Sequence, residues 1–353
     1  MHIDTLLRRA IELGASDLHL RAGTSPILRI HGMLQPQKDW KPLTAEDTVQ
    51  AFEDIANEQR KRTFAKQREL DFSYSIWEAG RFRVNASIQR GSISLAFRRI
   101  SVEIPAIDEL NLPAVCKTLA LKRRGLVLVT GPTGSGKSTT LASMLDHLNK
   151  LDSRIIVTIE DPIEYLYKDN HCVITQREVG SDTSSFASAL KHSLRQDVDV
   201  ILVGEMRDLE TIEACLTAAE TGHLVLSTLH TSSAPMTIDR IVDAFPPHQQ
   251  AQVRMQLSLT LSGVISQLLL PRRDEEGRVP AVEVMIANSA VRNLIREGKT
   301  HQLPNVVQTR GNEGMQSMEQ ALKELYMKGA ISQEDATAAA NDPDNLQTLM
   351  SNG

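Results

Sequence analysis

The sequence Gly131-Pro132-Thr133-Gly134-Ser135-Gly136-Lys137-Ser138 decides the fold class of this chain. It fits the pattern G-x-x-x-x-G-K-[ST], and it lies between the apolar run 126–130 and a stretch that predicts a helix beginning near Ser138. In such a loop the backbone N–H groups turn inward around phosphate groups, and the helix N-terminus adds about half a positive charge. The context therefore predicts a phosphate-binding loop.

This loop predicts binding of ATP together with Mg²⁺. Lys137 is expected to reach the β and γ phosphates, and the Ser138 hydroxyl is expected to bind Mg²⁺, an ion that shares its shell between protein and phosphate oxygens. The residues expected to surround the nucleotide are Gly131, Pro132, Thr133, Gly134, Ser135, Gly136, Lys137, Ser138 and Thr139.

The sequence after the loop alternates short apolar runs with helix-like segments. The runs 155–159, 200–203 and 224–228 suit strands that are buried on both faces of a mainly parallel sheet. This alternation predicts an α/β core, and ligands of open α/β sheets bind beyond the carboxyl ends of the strands.

Polar side chains stand near the ends of these apolar runs. Glu205 is expected to hold the coordination shell of Mg²⁺ through a water molecule or to orient the attacking water. His230 is expected to contact the γ-phosphate. Either Glu160 or Glu164 is expected to act as the general base, and the sequence does not choose between them. His223, before the last run, is a further candidate for the nucleotide site. A regulator that binds ATP without hydrolysing it is the alternative, but it would not need three polar strand ends.

The residues before the loop predict a second, smaller domain. Residues 3–14 have the pattern of an amphipathic helix, and 81–100 have the alternating pattern of a β-hairpin with a turn at Arg90-Gly91. We expect an α+β domain at 1–100, a linker at 101–113, and an α/β domain at 114–353 whose last part is helical. Pro343 is expected in a mobile polar tail.

Several arginines lie on the predicted hairpin, outside the P-loop sheet. Arg81, Arg83, Arg98 and Arg99 can serve phosphate recognition, because the guanidinium group is planar and always charged. An arginine supplied by another domain or subunit can accelerate phosphoryl transfer strongly. A solvated hairpin face is the alternative for each of them.

Composition excludes several classes of protein. The net charge is -5 over 353 residues, which argues against a surface shaped for nucleic acid. No apolar run approaches the roughly 18 residues needed to cross a bilayer, and the start lacks a signal-peptide core, so we expect a cytoplasmic protein without membrane insertion. The widely separated Cys116, Cys172 and Cys215 are expected to be buried thiols.

The motifs resemble those of the secretion ATPase superfamily, which powers type II secretion and type IV pili. GPTGSGKST at 131–139, TIEDPIEY at 158–165, ILVGEMRDLETIEA at 201–214 and TGHLVLSTLHT at 221–231 are similar to its Walker A, Asp box, Walker B and His box. SDLHL at 16–20 and GRFRVNASIQRG at 80–91 are similar to its amino-terminal domain. The resemblance implies a PAS-like domain, a RecA-like ATPase domain and a homohexameric ring.

The resemblance also implies roles for single residues. It implies Glu164 as base, Glu205 as the Walker B acid and His230 near the γ-phosphate, with Arg81, Arg83 and Arg98 approaching the nucleotide from the amino-terminal domain. Val198 stands where the family usually has proline, in a turn that carries no catalytic role.

The absence of a longer amino-terminal region and of a four-cysteine module favours the PilT family of pilus retraction motors. The segment AVRNLIRE at 290–297 is similar to a signature of that family, and Arg292 and Arg296 are expected to stand together on an exposed helix face. The implied partners are an inner-membrane pilus platform protein and a PilU-like paralogue. A PilU-like accessory ATPase and a secretion or pilus assembly ATPase remain the alternatives.

Overall fold

The computed structural model describes residues 2–77 and 79–351. The chain divides into two compact units, which we name the amino-terminal unit, Met1–Glu103 with Glu164–Leu166, and the carboxy-terminal unit, Ile104–Ile163 with Tyr167–Gly353. The amino-terminal unit is α+β and the carboxy-terminal unit is α/β.

In its described residues, 2–77 and 79–103 with 164–166, the amino-terminal unit is an antiparallel sheet with three helices. The strand order is β3-β2-β1-β6-β5-β4. The strands are β1 Asp17–Leu20, β2 Ile27–Ile30, β3 Met33–Pro36, β4 Glu69–Ile76, β5 Gly80–Gln89 and β6 Ser92–Arg99. The helices are α1 Ile3–Glu12, α2 Ala45–Ile55 and α3 Glu58–Gln67.

The hairpin of β5 and β6 lies where the sequence predicts it. Arg90 and Gly91 form its turn with φ values of 50° and 80°, the left-handed conformation that two-residue hairpin turns require. Phe82, Val84 and Phe97 are buried on one face, and the intervening residues point to the other face.

The carboxy-terminal unit is built on a sheet of order β13-β12-β7-β11-β10-β8-β9. Its strands are β7 Gly125–Thr130, β8 Ile155–Glu160, β9 Val173–Glu178, β10 Val200–Val203, β11 Leu224–Leu229, β12 Leu261–Pro271 and β13 Arg278–Ile286. All neighbours in this sheet are parallel except the pair of β12 and β13.

Helices and short turns complete this unit. The α-helices are α4 Val115–Ala120, α5 Lys137–Leu151, α6 Phe186–Ser193, α7 Leu209–Glu220, α8 Ala234–Asp243, α9 Pro247–Thr260, α10 Ser289–Glu297, α11 Leu303–Thr309, α12 Met318–Met327, α13 Gln333–Ala339 and α14 Pro343–Ser351. Two turns of 3-10 helix lie at Thr300–Gln302 and Gly311–Glu313.

Strand β7 shows why the apolar runs are continuous. Leu126 and Leu128 belong to the hydrophobic cluster on one face of the sheet, and Val127 and Val129 belong to the cluster on the other. Because successive side chains of a strand point to opposite faces, a sheet covered on both sides needs apolar residues at every position. The unit therefore has two core layers, and the carboxyl ends of its parallel strands share one edge.

The expectation of a mobile tail at Pro343 is wrong. Pro343 begins α14, where a missing N–H costs nothing, and Leu346 is buried among residues of α12 and α13. The Asp342 carboxylate accepts a hydrogen bond from the Asn345 N–H at 3.0 Å and so caps the helix. Within residues 2–77 and 79–351, every helix is too short or too polar to span a bilayer.

Candidate nucleotide site

The phosphate loop lies where the sequence predicts it, between β7 and α5. Gly136 is the residue that caps α5, with φ of 88°, and Gly131 has φ of 141°. A β-carbon at Gly131 would collide with the carbonyl oxygen of Gln267, so this position requires glycine. The loop is thus packed directly against the neighbouring strand β12.

Lys137 lies inside the curve of the loop. It is 8% exposed, and its ammonium group donates to the carbonyl oxygens of Gly131 and Pro132 at 2.8 and 2.9 Å. The Ser135 hydroxyl is also buried, and no hydrogen-bond partner for it exists among the described residues. A buried hydroxyl in this position fits a site built for a polar ligand.

Two side chains of strand β12, Gln267 and Ser266, bind the phosphate loop and the elements that flank it, and sequence reasoning missed them. Gln267 accepts a hydrogen bond from the Thr140 hydroxyl at 2.8 Å and donates to the Ser135 carbonyl at 2.5 Å. Thr130, the last residue of β7, shares a hydrogen bond of 2.8 Å with the Ser266 hydroxyl. The only sequence signal for these contacts was a Ser-Gln pair within the apolar run 261–271.

The two candidate bases lie in different surroundings. Glu160 ends β8, is 9% exposed, and accepts hydrogen bonds from Thr158 at 2.6 Å and from Gln176 at 3.3 Å. Glu164 is exposed, and its segment Glu164–Leu166 belongs to the amino-terminal unit, where Tyr165 pairs with Ser101.

Glu205 and His230 lie together at the carboxyl ends of β10 and β11. The Glu205 carboxylate is 3.5 Å from His230 Nε2 and 2.6 Å from Arg207 Nε. Gly204 anchors this turn, because its N–H donates to the Ile159 carbonyl at 2.8 Å and its carbonyl accepts from Thr228 at 2.7 Å. Arg207 is a neighbour of Glu205 that the sequence analysis did not select.

His223 lies at the opposite end of β11 from His230. It directly precedes Leu224, which pairs with Gly125 at the amino end of β7, whereas the phosphate loop follows the carboxyl end of β7. Its Nδ1 is 3.0 Å from the Ala218 carbonyl and 3.2 Å from the Thr221 hydroxyl, at the end of α7. The structure therefore does not bring His223 to the loop of its own chain.

Three of the hairpin arginines, Arg81, Arg83 and Arg98, lie on one face of the amino-terminal sheet, whereas Arg99 pairs with Phe82 on the other face. Arg81 and Arg83 are two residues apart on β5, and Arg83 pairs with Arg98 on β6. Arg98 forms an ion pair with Asp17 at 2.9 Å. Burial favours a raised pKa at Asp17, but hydrogen bonds from Ser16 and Arg98 and the positive charge of Arg98 outweigh it and lower the pKa. Arg99, on the same strand as Arg98, is half-buried.

A cavity of about 300 Å³ opens beside the start of α5. Its walls include Thr139, Thr140 and Gln267 on one side, and residues of the segment before α4, such as Leu110 and Leu112, on another. This volume is at the lower end of ordinary ligand sites.

Arg292 is not on an exposed face with Arg296, contrary to the expectation from sequence. Its guanidinium group donates to the carbonyl oxygens of Ser258 and Leu259 at the end of α9, of Leu261 at the start of β12 and of Ala287 just before α10, at 2.5 to 2.8 Å. Helical spacing could not reveal this contact, because α9 and α10 are separated by two long strands. Arg296 is exposed and donates to Asn293 at 2.6 Å.

No cluster of three or more histidine, cysteine, aspartate or glutamate side chains capable of holding a metal ion occurs among residues 2–77 and 79–351. The buried Cys116, Cys172 and Cys215 are free thiols, as the sequence predicts. Burial raises the pKa of the Cys116 thiol to about 12, which makes it unreactive at neutral pH.

Comparisons with known proteins agree with the resemblance seen in the motifs. Residues 1–275 match the family described as "Type II/IV secretion system protein". The chain is 48% identical to the type IV pilus retraction ATPase PilT of Pseudomonas aeruginosa, over 98% of this chain and 100% of that protein. It is 42% identical to the type IV pilus ATPase PilU of the same organism, over 100% of this chain and 92% of that protein.

A solved structure shares the whole fold. A crystal structure of the pilus retraction motor PilT with bound ADP matches with a TM-score of 0.90 and 50% identity, over 99% of both chains. The predicted fold class, a PAS-like α+β domain followed by a RecA-like P-loop domain, is therefore confirmed.

Proposed function

This chain belongs to the type II/IV secretion system protein family, and from that premise we propose that it hydrolyses ATP to power retraction of type IV pili. The observation that carries the proposal is the shared edge of the sheet, where the strand before the phosphate loop ends beside the parallel strands that Glu160, Glu205 and His230 end or follow. The similarity to PilT over the whole chain supports the pilus as the site of action.

The nucleotide would bind with its phosphates in loop 131–136 and at the first turn of α5. The Lys137 ammonium group would exchange its contacts with loop carbonyls for the β and γ phosphates, and the buried Ser135 hydroxyl would gain a partner. The cavity beside Thr139 would take the adenine base, because it opens next to the start of α5 and is lined in part by the apolar Leu110 and Leu112.

Mg²⁺ fits this site because it needs few protein ligands when phosphate oxygens complete its shell. Ser138 and Glu205 are the residues that would hold it, and the ion would supply charge neutralisation at the phosphates.

Hydrolysis requires a base for the attacking water and donors for the developing charge. Glu205 would orient the water while His230, 3.5 Å from it, donates toward the γ-phosphate. Glu164 is the base by resemblance, and Glu160 is the alternative. The burial of Glu160 and its two hydrogen bonds favour a supporting role for it, whereas the exposed Glu164 is available to water.

Assembly into a homohexameric ring would complete the site. Arg81, Arg83 and Arg98 form one basic face of the amino-terminal sheet, and such a face can neutralise the phosphates of a nucleotide bound in the same or a neighbouring subunit. The ring would act in the cytoplasm on an inner-membrane pilus platform protein, with a PilU-like paralogue as a second motor. Measuring the particle mass in solution with ATP tests the ring, and a monomer with full activity would contradict it.

Two substitutions test the site. Lys137→Ala should abolish measurable ATPase activity and pilus retraction while the protein still folds. Glu205→Gln keeps size and removes charge, so ATP should still bind while hydrolysis falls by at least about tenfold. Normal turnover in Lys137→Ala would refute the phosphate site. Normal retraction in cells that lack the gene for this chain would refute the motor role.

A further inference from the structure

We propose that Gln267 is a positioning residue that holds the phosphate loop in its binding-competent shape. The inference rests on the proposed function of loop 131–136 in binding phosphates. Gln267 lies on β12, more than 120 residues after the loop, and its side chain is 3% exposed.

The carboxamide of Gln267 connects two parts of the phosphate site. Its Nε2 donates to the carbonyl oxygen of Ser135, which belongs to the loop, at 2.5 Å. Its Oε1 accepts from the hydroxyl of Thr140, which belongs to the first turn of α5, at 2.8 Å. One side chain therefore fixes the loop relative to the helix whose N-terminus faces the phosphates.

The loop is shaped to receive this contact. Gly136 has no side chain, and a β-carbon there would stand 2.8 Å from the Nε2 atom of Gln267. A β-carbon at Gly131 would collide with the backbone carbonyl of Gln267 itself. The backbone of β12 and the positive φ thus both require glycine at position 131, and Gly136 leaves room for the carboxamide of Gln267.

A carboxamide satisfies both partners with a single side chain. The Ser135 carbonyl needs a donor and the Thr140 hydroxyl needs an acceptor, and both groups are shielded from water. Glutamate at position 267 can accept from Thr140, but its carboxylate would face the carbonyl of Ser135. Methionine has a similar shape and offers neither a strong donor nor a strong acceptor.

Gln267 also lines the cavity beside α5, so it could act on the adenine base instead of the loop. Inorganic tripolyphosphate separates these roles because it has phosphates and no base. A positioning role predicts that loss of the carboxamide weakens the binding of ATP and the binding of tripolyphosphate by the same factor. A base contact predicts that it weakens ATP alone.

The experiment measures KM and kcat for ATP and the inhibition constant of magnesium tripolyphosphate, in the full chain. Gln267→Met and Gln267→Glu should each raise the KM for ATP and the inhibition constant of tripolyphosphate about tenfold, with a smaller change in kcat. A loop that has lost its contacts with Gln267 must be ordered by the ligand, and this ordering weakens binding. Thr140→Val should raise them less and add little in the double variant with Gln267→Met, since both changes break one connection.

Gln316→Met is the matched control. Gln316 Nε2 donates to the Val282 carbonyl at 2.6 Å, which is a similar amide-to-backbone contact in the same unit away from the loop. Its loss should leave both constants unchanged. If Gln267→Met does not fold, as judged by thermal melting, Gln267→Glu and Thr140→Val carry the test.

Three outcomes overturn the inference. In the first, the Gln267 variants have the wild-type KM and inhibition constant while Lys137→Ala is inactive. This result would support the phosphate site and refute the positioning role of Gln267. An unchanged tripolyphosphate constant with a raised KM for ATP assigns Gln267 to the base. Full activity in Lys137→Ala removes the phosphate site and this inference with it.

Discussion

Replacing Arg292 by alanine should destabilise the carboxy-terminal unit even though the substitution is far from the phosphate loop. The last four carbonyl groups of a helix have no partner within the helix, and Arg292 binds those of Ser258 and Leu259 at the end of α9. It also binds the carbonyls of Leu261 and Ala287, so it ties the end of α9 to the strand that follows and to the start of α10.

The size of the effect follows from these contacts. A hydrogen bond from a charged donor contributes about 1.5–3 kcal/mol, but water can replace part of the four bonds because Arg292 is only half-buried. We expect Arg292→Ala to lower the free energy of unfolding by about 2–4 kcal/mol, which corresponds to a fall in Tm of about 4–16 °C for a unit of this size. Arg292→Lys keeps the positive charge but lacks the planar guanidinium group with its several donors. The Tm of this variant should therefore lie between those of Arg292→Ala and the wild type.

Thermal unfolding followed by circular dichroism measures this effect, and Arg296→Ala is the matched control. Arg296 is exposed on the same helix, and surface changes of this kind usually alter stability by no more than about 0.5 kcal/mol. If Arg292→Ala has the same Tm as Arg296→Ala, Arg292 does not cap α9, and its role would be at the surface.

Two further predictions concern the same unit. Because Arg292 has a structural role, Arg296→Ala alone is the variant that tests coupling: we expect it to keep most ATPase activity and to stop retraction in cells, and normal retraction would contradict this. Burial and, to a smaller extent, the nearby carboxylate of Glu319 outweigh the hydrogen bonds from backbone N–H groups and together raise the pKa of Glu283 from 4.5 to about 7. The native state then holds a proton that the unfolded state lacks, so wild-type stability should fall by up to ~3 kcal/mol as pH rises from about 4.5 through 7. Urea unfolding at several pH values measures this change, and the free energy of unfolding of Glu283→Gln should not fall over the same range. If the free energies of the two proteins change with pH in parallel, Glu283 is not the cause.

The sequence by itself determined the phosphate loop and the parallel strands around it. The loop needs a strand, glycines and a helix start in close succession, and all of these lie within one short stretch of chain. The apolar runs of β7, β8, β10 and β11 were visible because strands buried on both faces need apolar residues at consecutive positions. Since parallel strands end at one edge, the sequence also indicated that Glu205 and His230 would meet.

Tertiary structure alone decided the contacts between distant segments. Strands β9, β12 and β13 were not identified from sequence, and the link from Gln267 to Ser135 therefore could not be predicted. His223 and His230 belong to the same sequence motif, but the six residues of β11 lie between them. The two side chains are therefore at opposite ends of that strand.

The periodicity of α10 has the same limit. It located the helix and its buried face, with Val291 and Ile295 in the core. It could not show that Arg292 binds the end of α9, nor that Pro343 begins a packed helix, because periodicity describes one element at a time. Which charged or polar side chain satisfies a distant backbone group depends on how the elements pack, and only the folded chain determines that.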